Sequence, residues 1–243
     1  MSEVPVATQT PTPGLSLWAR IWGILSSPKE TFADIVARPR WFGMMVAVIL
    51  VTTVFMGGFL MTPVGKQAYV DNSVRSTERF GGQVNEQQYA MMEKMAAYAA
   101  PITVVAVAVF TPLMWAIVAG LLFAVFNAAM GGDGSFKQVF AVVAYSSAVS
   151  IVQQVFVTPL NYVRESMSSA TNLAVFLPML DEGSFLARLL GMVDLFIVWW
   201  VIVLSIGLGV LYRRKTGPIA IGLFAVYGVI AVIVAALFGR AGA

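Results

Sequence analysis

Six polar residues could do chemistry inside the apolar part of this 243-residue chain. Five of them recur at steps of three or four residues, which places them on one face of a helix: Ser147, Ser150, Gln154, Thr158 and Asn161. The sixth is Asp194, an acid inside another apolar stretch. Polar and ionisable groups within a membrane are typical of ion and substrate pathways. The chemistry that these residues suggest is therefore transport.

The five-residue stripe has two interpretations. Lipid would not tolerate it, so we expect it to face other helices. As a functional feature it would be a permeation seam. As a structural feature it would form hydrogen bonds between helices, each worth about 0.6 kcal/mol on average. We favour the structural interpretation.

Asp194 is the sharper signal, because an acid at the middle of a bilayer costs roughly 2.5 to 3.5 kcal/mol on insertion scales. Its position near the outer end of its stretch lowers that cost. A carboxylate there could bind a substrate or a coupling ion. It could equally cap the start of its helix, where the helix dipole favours an anion. The sequence leaves both interpretations of Asp194 open.

Composition argues against an enzyme. The chain has no His and no Cys, so it lacks the commonest general base, the commonest metal ligand and the best nucleophile. A glycine-rich loop at residues 131–135 does not match the P-loop pattern, and we interpret it as a helix stop followed by a Ser or Asp cap. We expect no catalytic residues, no metal site and no cofactor.

The elements that position these residues are five apolar stretches. About 20 apolar residues in a helix cross a hydrocarbon core of about 30 Å, and in lipid only helices or closed barrels satisfy the backbone. Hydrophobic residues make up 59% of the chain and charged residues 11%, against roughly 25% charged in soluble domains. The sequence therefore predicts an all-α, polytopic membrane protein with a five-helix transmembrane bundle. The predicted spans are residues 42–61, 101–126, 139–160, 190–212 and 218–238.

Charge placement predicts a cytoplasmic N-terminus and a C-terminus on the far side. On that assignment the inner side carries eight of the 15 Lys and Arg residues and four of the 12 acids. The rule gives most weight to charges close to the spans. Arg38 and Arg40 precede the first span, and residues 213–215 fill the loop between the fourth and fifth.

Residues 1–14 are rich in Pro and Thr, so we expect a disordered tail. Residues 15–40 are predicted to form cytoplasmic or interfacial helices. Trp18 and Trp22 share one face of the first, which suits the headgroup boundary; the alternative is packing against the protein's own spans. Ser27, Pro28 and Glu30 predict the start of the second. Trp41 marks the interface where the five-span domain of residues 41–240 begins.

Residues 62–100 lie between the first two spans. Their charges alternate, and Gly81 and Gly82 interrupt them. We expect two helices that reverse at these glycines and project beyond the bilayer.

Three segments resemble the Yip family, the Ypt-interacting membrane proteins, in its bacterial form. They are residues 27–32 (SPKETF), residues 132–139 (GDGSFKQV) leading into 141–146, and Asp194-Leu195-Phe196 followed by Trp199-Trp200 and Gly207-Leu208. The resemblance runs from about residue 17 to the end. It implies a five-helix bundle, a cytoplasmic N-terminus and a very short C-terminal tail on the far side. We expect the protein to be integral to the bacterial inner membrane. Eukaryotic relatives bind prenylated Rab-type GTPases, but the chain lacks their aspartate-leucine-tyrosine-glycine-proline signature, so Rab binding is not carried over.

The sequence thus favours a non-enzymatic integral membrane scaffold, adaptor or bilayer-organising module, whose N-terminal helices present a surface to a protein partner or to lipid. The alternative is a small transporter or permease component that uses the third-span stripe and Asp194. We expect contact with membrane lipid, a membrane or cytoplasmic protein partner, and self-association as a further option, but no nucleic acid. Five spans do not divide into the equal halves of an inverted repeat, which weighs against transport, although an oligomer could restore the symmetry.

Overall fold

The computed structural model describes residues 14–79, 81–177, 179–180 and 184–237, and this part of the chain is helical without a β-strand. The predicted tail, apart from Gly14, and the end of the fifth predicted span lie outside the described residues. The helices are α1 Leu17–Ser26, α2 Pro28–Ala37, α3 Phe42–Thr52, α4 Gly58–Met61, α5 Pro63–Arg79, α6 Glu86–Ala96, α7 Ala99–Phe123, α8 Phe136–Ser146, α9 Ala148–Val163, α10 Phe185–Met192, α11 Leu195–Leu211 and α12 Thr216–Leu237.

Four helical stretches within the described residues are long and apolar enough to cross a membrane: Phe42–Met61, Ala99–Ala129, Phe136–Val163 and Thr216–Ala236. A π-helical turn at Thr53–Gly57 joins α3 to α4, and another at Ala124–Ala129 extends α7. The all-α, multi-pass membrane fold predicted from the sequence is confirmed.

The apolar stretch at residues 190–212 contains a helix break. Its first residues belong to α10, and α11 begins only at Leu195. Between them the backbone of Asp194 is extended, with ψ 137°. As a result, α11 has 17 residues and is shorter than any of the four apolar stretches given above.

The centre of the bundle is the junction of α8 and α9, where every residue from 139 to 149 is buried. A helix that is hydrophobic on all sides belongs in a core. Helices α2, α7 and α11 pack around α8. Ser135 caps the start of α8, and its partner Gln138 completes a capping box, which confirms the predicted Ser cap.

The N-terminal helices form a layer on the bundle. Phe32 and Ile35 of α2 are fully buried, and α2 packs against α8 and α11. The close approach depends on Gly207 of α11, where an added Cβ would lie 2.8 Å from Phe32 Cε1 and 2.6 Å from Val142 Cγ1. The predicted start of α2 is confirmed with Pro28 at its first position, although the Ser27 side chain forms no capping bond.

The two ends of the bundle differ. We call one the basic end: there the α11–α12 loop, with Arg213, Arg214 and Lys215, meets the 130–135 loop, and Arg214 Nη2 donates to the Met130 carbonyl at 3.0 Å. At the opposite end, α5 and α6 pack together as the predicted helical hairpin. The hairpin reverses at Gly81, whose φ is +78°, a conformation that glycine adopts at little cost.

Candidate functional site

Helix α1 has two different faces. Arg20, Ile21 and Ile24 are buried against the bundle, whereas Trp18 and Trp22 are each 71% exposed. One face of α1 therefore packs on the protein and the other presents two tryptophans outward, and the position of these rings at the headgroup boundary stays a prediction. Trp41 differs from these two, because its ring packs edge-on against Phe140 with the centroids 5.0 Å apart.

A buried charge network fixes α1 in place. The guanidinium of Arg20, only 2% exposed, donates from Nε to Asp34 Oδ2 at 2.8 Å and lies 2.7 Å from the same oxygen through Nη2. Its Nη1 donates to the Tyr145 hydroxyl at 3.3 Å. That hydroxyl donates in turn to the Arg40 carbonyl at 2.9 Å. One network thus joins α1, α2, α8 and the segment before α3.

The network has the features that a buried ion pair needs. Desolvation of two charges is expensive, and extra hydrogen bonds must satisfy their remaining donors and acceptors. Tyr145 provides one of these bonds, and its ring also lies 5.5 Å from Arg20 Cζ. Arg38 Nη1 lies 3.5 Å from Asp34 Oδ1 and adds a second positive charge. The arrangement holds α1 and α2 in one register on the bundle.

Sequence reasoning missed this network, which it treated only as charges on the inner side. A signal was present in α1. Arg20 is the single charge of that helix and falls beside Ile21 and one turn before Ile24 on the buried face. A charge at such a position requires a partner, and Asp34 of the next helix is an acid close by in sequence.

Asp194 caps α11. It is 6% exposed, and its Oδ1 accepts a hydrogen bond from the Phe196 backbone N–H at 2.8 Å. The Ser169 and Thr171 hydroxyls both donate to Oδ2, at 2.7 and 2.6 Å. The geometry favours the capping interpretation of Asp194.

Backbone hydrogen bonds also connect the segment that contains Ser169 and Thr171 to the start of α11. The Leu173 N–H donates to the Val193 carbonyl at 2.9 Å, and the Leu195 N–H donates to the Thr171 carbonyl at 3.1 Å. Asp194 therefore fastens the segment after α9 to the helix that follows α10. Its hydrogen bonds thus stabilise the junction between the segment after α9 and the start of α11.

The polar stripe is not a row of bonds between helices. Ser147 and Asn161 are buried, while Ser150, Gln154 and Thr158 are half-buried. The Ser147 hydroxyl donates to the Val143 carbonyl at 3.1 Å, and the Thr158 hydroxyl donates to Gln154 Oε1 at 3.2 Å. These bonds run along the helix because a hydroxyl readily reaches the turn before it. Among the described residues, Asn161 Oδ1 is buried without a partner.

The described residues provide no cluster of three or more acidic side chains that could hold a metal ion. They also show no hydrogen bond between Asp194 and any residue of the stripe. The six candidate residues thus lie at two separate sites: the five residues of the stripe lie along α8 and α9, and Asp194 lies at the start of α11.

Comparison with protein-family models matches residues 22–238 to the Yip1 domain. The match extends over nearly the whole chain and includes α2 and all later helices. It begins just after Trp18 and Arg20. No curated protein and no solved structure matches the chain.

Proposed function

The chain belongs to the Yip1 domain family, and from this premise we propose that it is a non-enzymatic scaffold or adaptor whose N-terminal helices carry the partner surface. The family match and the apolar helices make it an integral membrane protein. The resemblance drawn from the sequence is confirmed for nearly its whole length.

The observation that carries the proposal is the platform formed by α1. Arg20 and Asp34 lock this helix to the bundle, while Trp18 and Trp22 point away from it. Tryptophan is favoured at the headgroup layer and is enriched among the residues that dominate binding at protein interfaces. Because the helix beneath them is already fixed, binding need not order the backbone that carries the two rings.

We place this platform on the cytoplasmic side of a bacterial inner membrane. Support comes from the basic residues near it. Arg38 and Arg40 follow α2, and Lys137 lies in the first turn of α8, where Gln138 Nε2 donates to the Val36 carbonyl at 3.1 Å. Arg213, Arg214 and Lys215 form the α11–α12 loop at the same end. Short loops rich in Lys and Arg stay on the cytoplasmic side.

The transporter alternative gains no support from the geometry. A coupling carboxylate must change its charge or its ligands during a cycle. Asp194 instead accepts three hydrogen bonds that close the start of α11.

The proposal is tested by purification of the full chain from its native membrane with quantitative identification of the proteins that accompany it. A Trp18→Ala/Trp22→Ala variant is expected to lose those proteins and to retain its thermal stability. Leu121→Ala removes an apolar side chain of similar exposure from α7 and serves as the control. If the unmodified protein, the double variant and the control all retained the same accompanying proteins, the platform would be refuted as a partner surface.

A further inference from the structure

A groove of about 260 Å³ lies between α7 and α11, over the junction of α8 and α9. Its lining combines large aromatic rings with a few small polar groups. The residues that matter are Trp115, Ser147, Ser150, Gln153, Phe196 and Trp200.

Helices α8 and α9 bring polar side chains to the otherwise apolar groove. The Ser147 hydroxyl donates a hydrogen bond to the Val143 carbonyl of its own helical turn. Ser150 and Gln153 are half-buried, and within the described part of the chain their side chains make no hydrogen bond to another residue. An unsatisfied amide facing hydrocarbon costs several kcal/mol. The two side chains therefore offer hydrogen-bond donors to whatever fills the groove.

The groove opens sideways. Trp115 and Phe196 are buried in its walls, but Met114 and Ile197 on its rim are 51% and 36% exposed. Met114 belongs to a helical stretch that is long and apolar enough to cross a membrane, and Ile197 belongs to the shorter apolar helix α11. A ligand would therefore enter from the bilayer.

The groove also lies near a polar helix end. Phe196 and Trp200 occupy the first two turns of α11, so Trp200 is about 9 Å along the axis from the Asp194 cap. The polar headgroup and interfacial layer of a bilayer borders the hydrocarbon core on each side. A molecule in the groove can thus place a polar group at the edge of the core and an apolar tail inside it.

We propose that this groove binds one acyl chain of an ester-linked membrane lipid, with Gln153 and Ser150 donating hydrogen bonds to the ester carbonyl. An ester carbonyl only accepts hydrogen bonds, while the Gln amide provides two donors and the Ser hydroxyl one. The tail packs against Trp115, Phe196 and Trp200. This binding site is independent of the platform on α1.

The size of the groove distinguishes a chain from larger occupants. Pockets for drug-sized ligands measure about 300 to 1,000 Å³, so about 260 Å³ accommodates part of one chain. A helix with its side chains is about 10–12 Å across. A helix from a second copy is too wide for this volume.

The test uses the purified full chain in nanodiscs that contain a photoreactive phosphatidylcholine with its diazirine in the acyl chain. Peptides from α7 and α11 that contain Trp115 and Trp200 are expected to carry the label. Unlabelled diester phosphatidylcholine should compete about fivefold better than the diether analogue, which lacks both carbonyls. That factor is what one net hydrogen bond of typical strength provides.

A Ser150→Ala/Gln153→Leu variant is expected to bind both competitors equally. Gln154→Leu is the matched control, since Gln154 neighbours Gln153 but lies outside the groove, and it should keep the fivefold preference. Two results would overturn the proposal. One is equal competition by ester and ether lipid in the unmodified chain; the other is labelling of α7 and α11 no stronger than that of the exposed face of α12.

Discussion

Arg20 and Asp34 meet inside the N-terminal layer, with Arg20 Nη2 only 2.7 Å from Asp34 Oδ2 and the guanidinium almost wholly buried. The pair links α1 to α2. Through Tyr145 it also links both helices to the most buried helix of the bundle. A salt bridge of this kind sets the position of a segment more than it adds stability, because desolvation offsets much of the attraction.

Removal of one partner of this pair should therefore cost more than removal of both. We expect Asp34→Leu alone to lower the free energy of unfolding by about 3 to 5 kcal/mol, because the buried charge of Arg20 is left without its counterpart. Arg20→Leu should cost less, because the half-buried Asp34 keeps Arg38 as a partner. The double variant should recover part of that loss. Unfolding in detergent, analysed as a double-mutant cycle, measures the coupling. Lys29→Ala, an exposed charge on α2, is the control, and additive losses for the pair would contradict the argument.

The packing of α2 provides a second prediction. Gly207→Ala should destabilise the protein by about 1 to 3 kcal/mol, because the new Cβ would overlap Phe32 and Val142. Gly222→Ala is matched in chemistry, but its Cβ would meet no neighbouring atom within 4 Å, so we expect no loss there. Thermal unfolding of both variants tests the difference. Equal effects would show that α2 does not rest on α11 in solution.

Local signals explain why several elements could be predicted from the sequence. The start of α2 at Pro28 and the cap of α8 at Ser135 depend on residues within one turn, and the hairpin reverses at a glycine that adopts a positive φ. The apolar stretches follow from composition and length alone. Each of these features is determined by residues that are close together in the sequence.

The remaining features depend on residues far apart in the chain. Tyr145 lies 125 positions from Arg20, and Asp194 takes its hydroxyl donors from a loop 23 and 25 positions earlier. Helical spacing predicted the polar stripe but not that its hydroxyls bond along their own helix. The π-helical turn at Thr53–Gly57 has no sequence signal that we recognise. Single-sequence reasoning thus found most of the helices, but it missed the break between α10 and α11 and the mutual contacts of the helices.

The orientation of the chain is directly testable, because it contains no cysteine. We predict that a cysteine at Ser76, exposed on α5, reacts with an impermeant maleimide added to intact cells. A cysteine at Lys215, exposed in the α11–α12 loop, should react only after permeabilisation. The two sites lie at opposite ends of the bundle and control for each other. The reverse pattern would refute the charge-based topology and place the α1 platform outside the cell.

Substitutions of Asp194 distinguish a carboxylate that caps a helix from one that takes part in transport. Asn retains an oxygen that can accept from the Phe196 N–H, and Ser169 and Thr171 can turn their hydroxyls to suit the amide. We therefore expect Asp194→Asn to leave expression, detergent stability and partner co-purification nearly intact. Asp194→Leu removes every acceptor and strands two hydroxyls, so it should lower stability by about 1 to 3 kcal/mol.

Proteoliposomes complete the comparison. We expect the purified chain to show no proton- or sodium-dependent uptake, since the carboxylate is engaged in closing the start of α11. Ser169→Ala and Thr171→Ala are the controls, because each removes one donor from the same carboxylate without changing its charge. A flux that Asp194→Asn abolishes while the folded protein persists would replace the scaffold with a transporter.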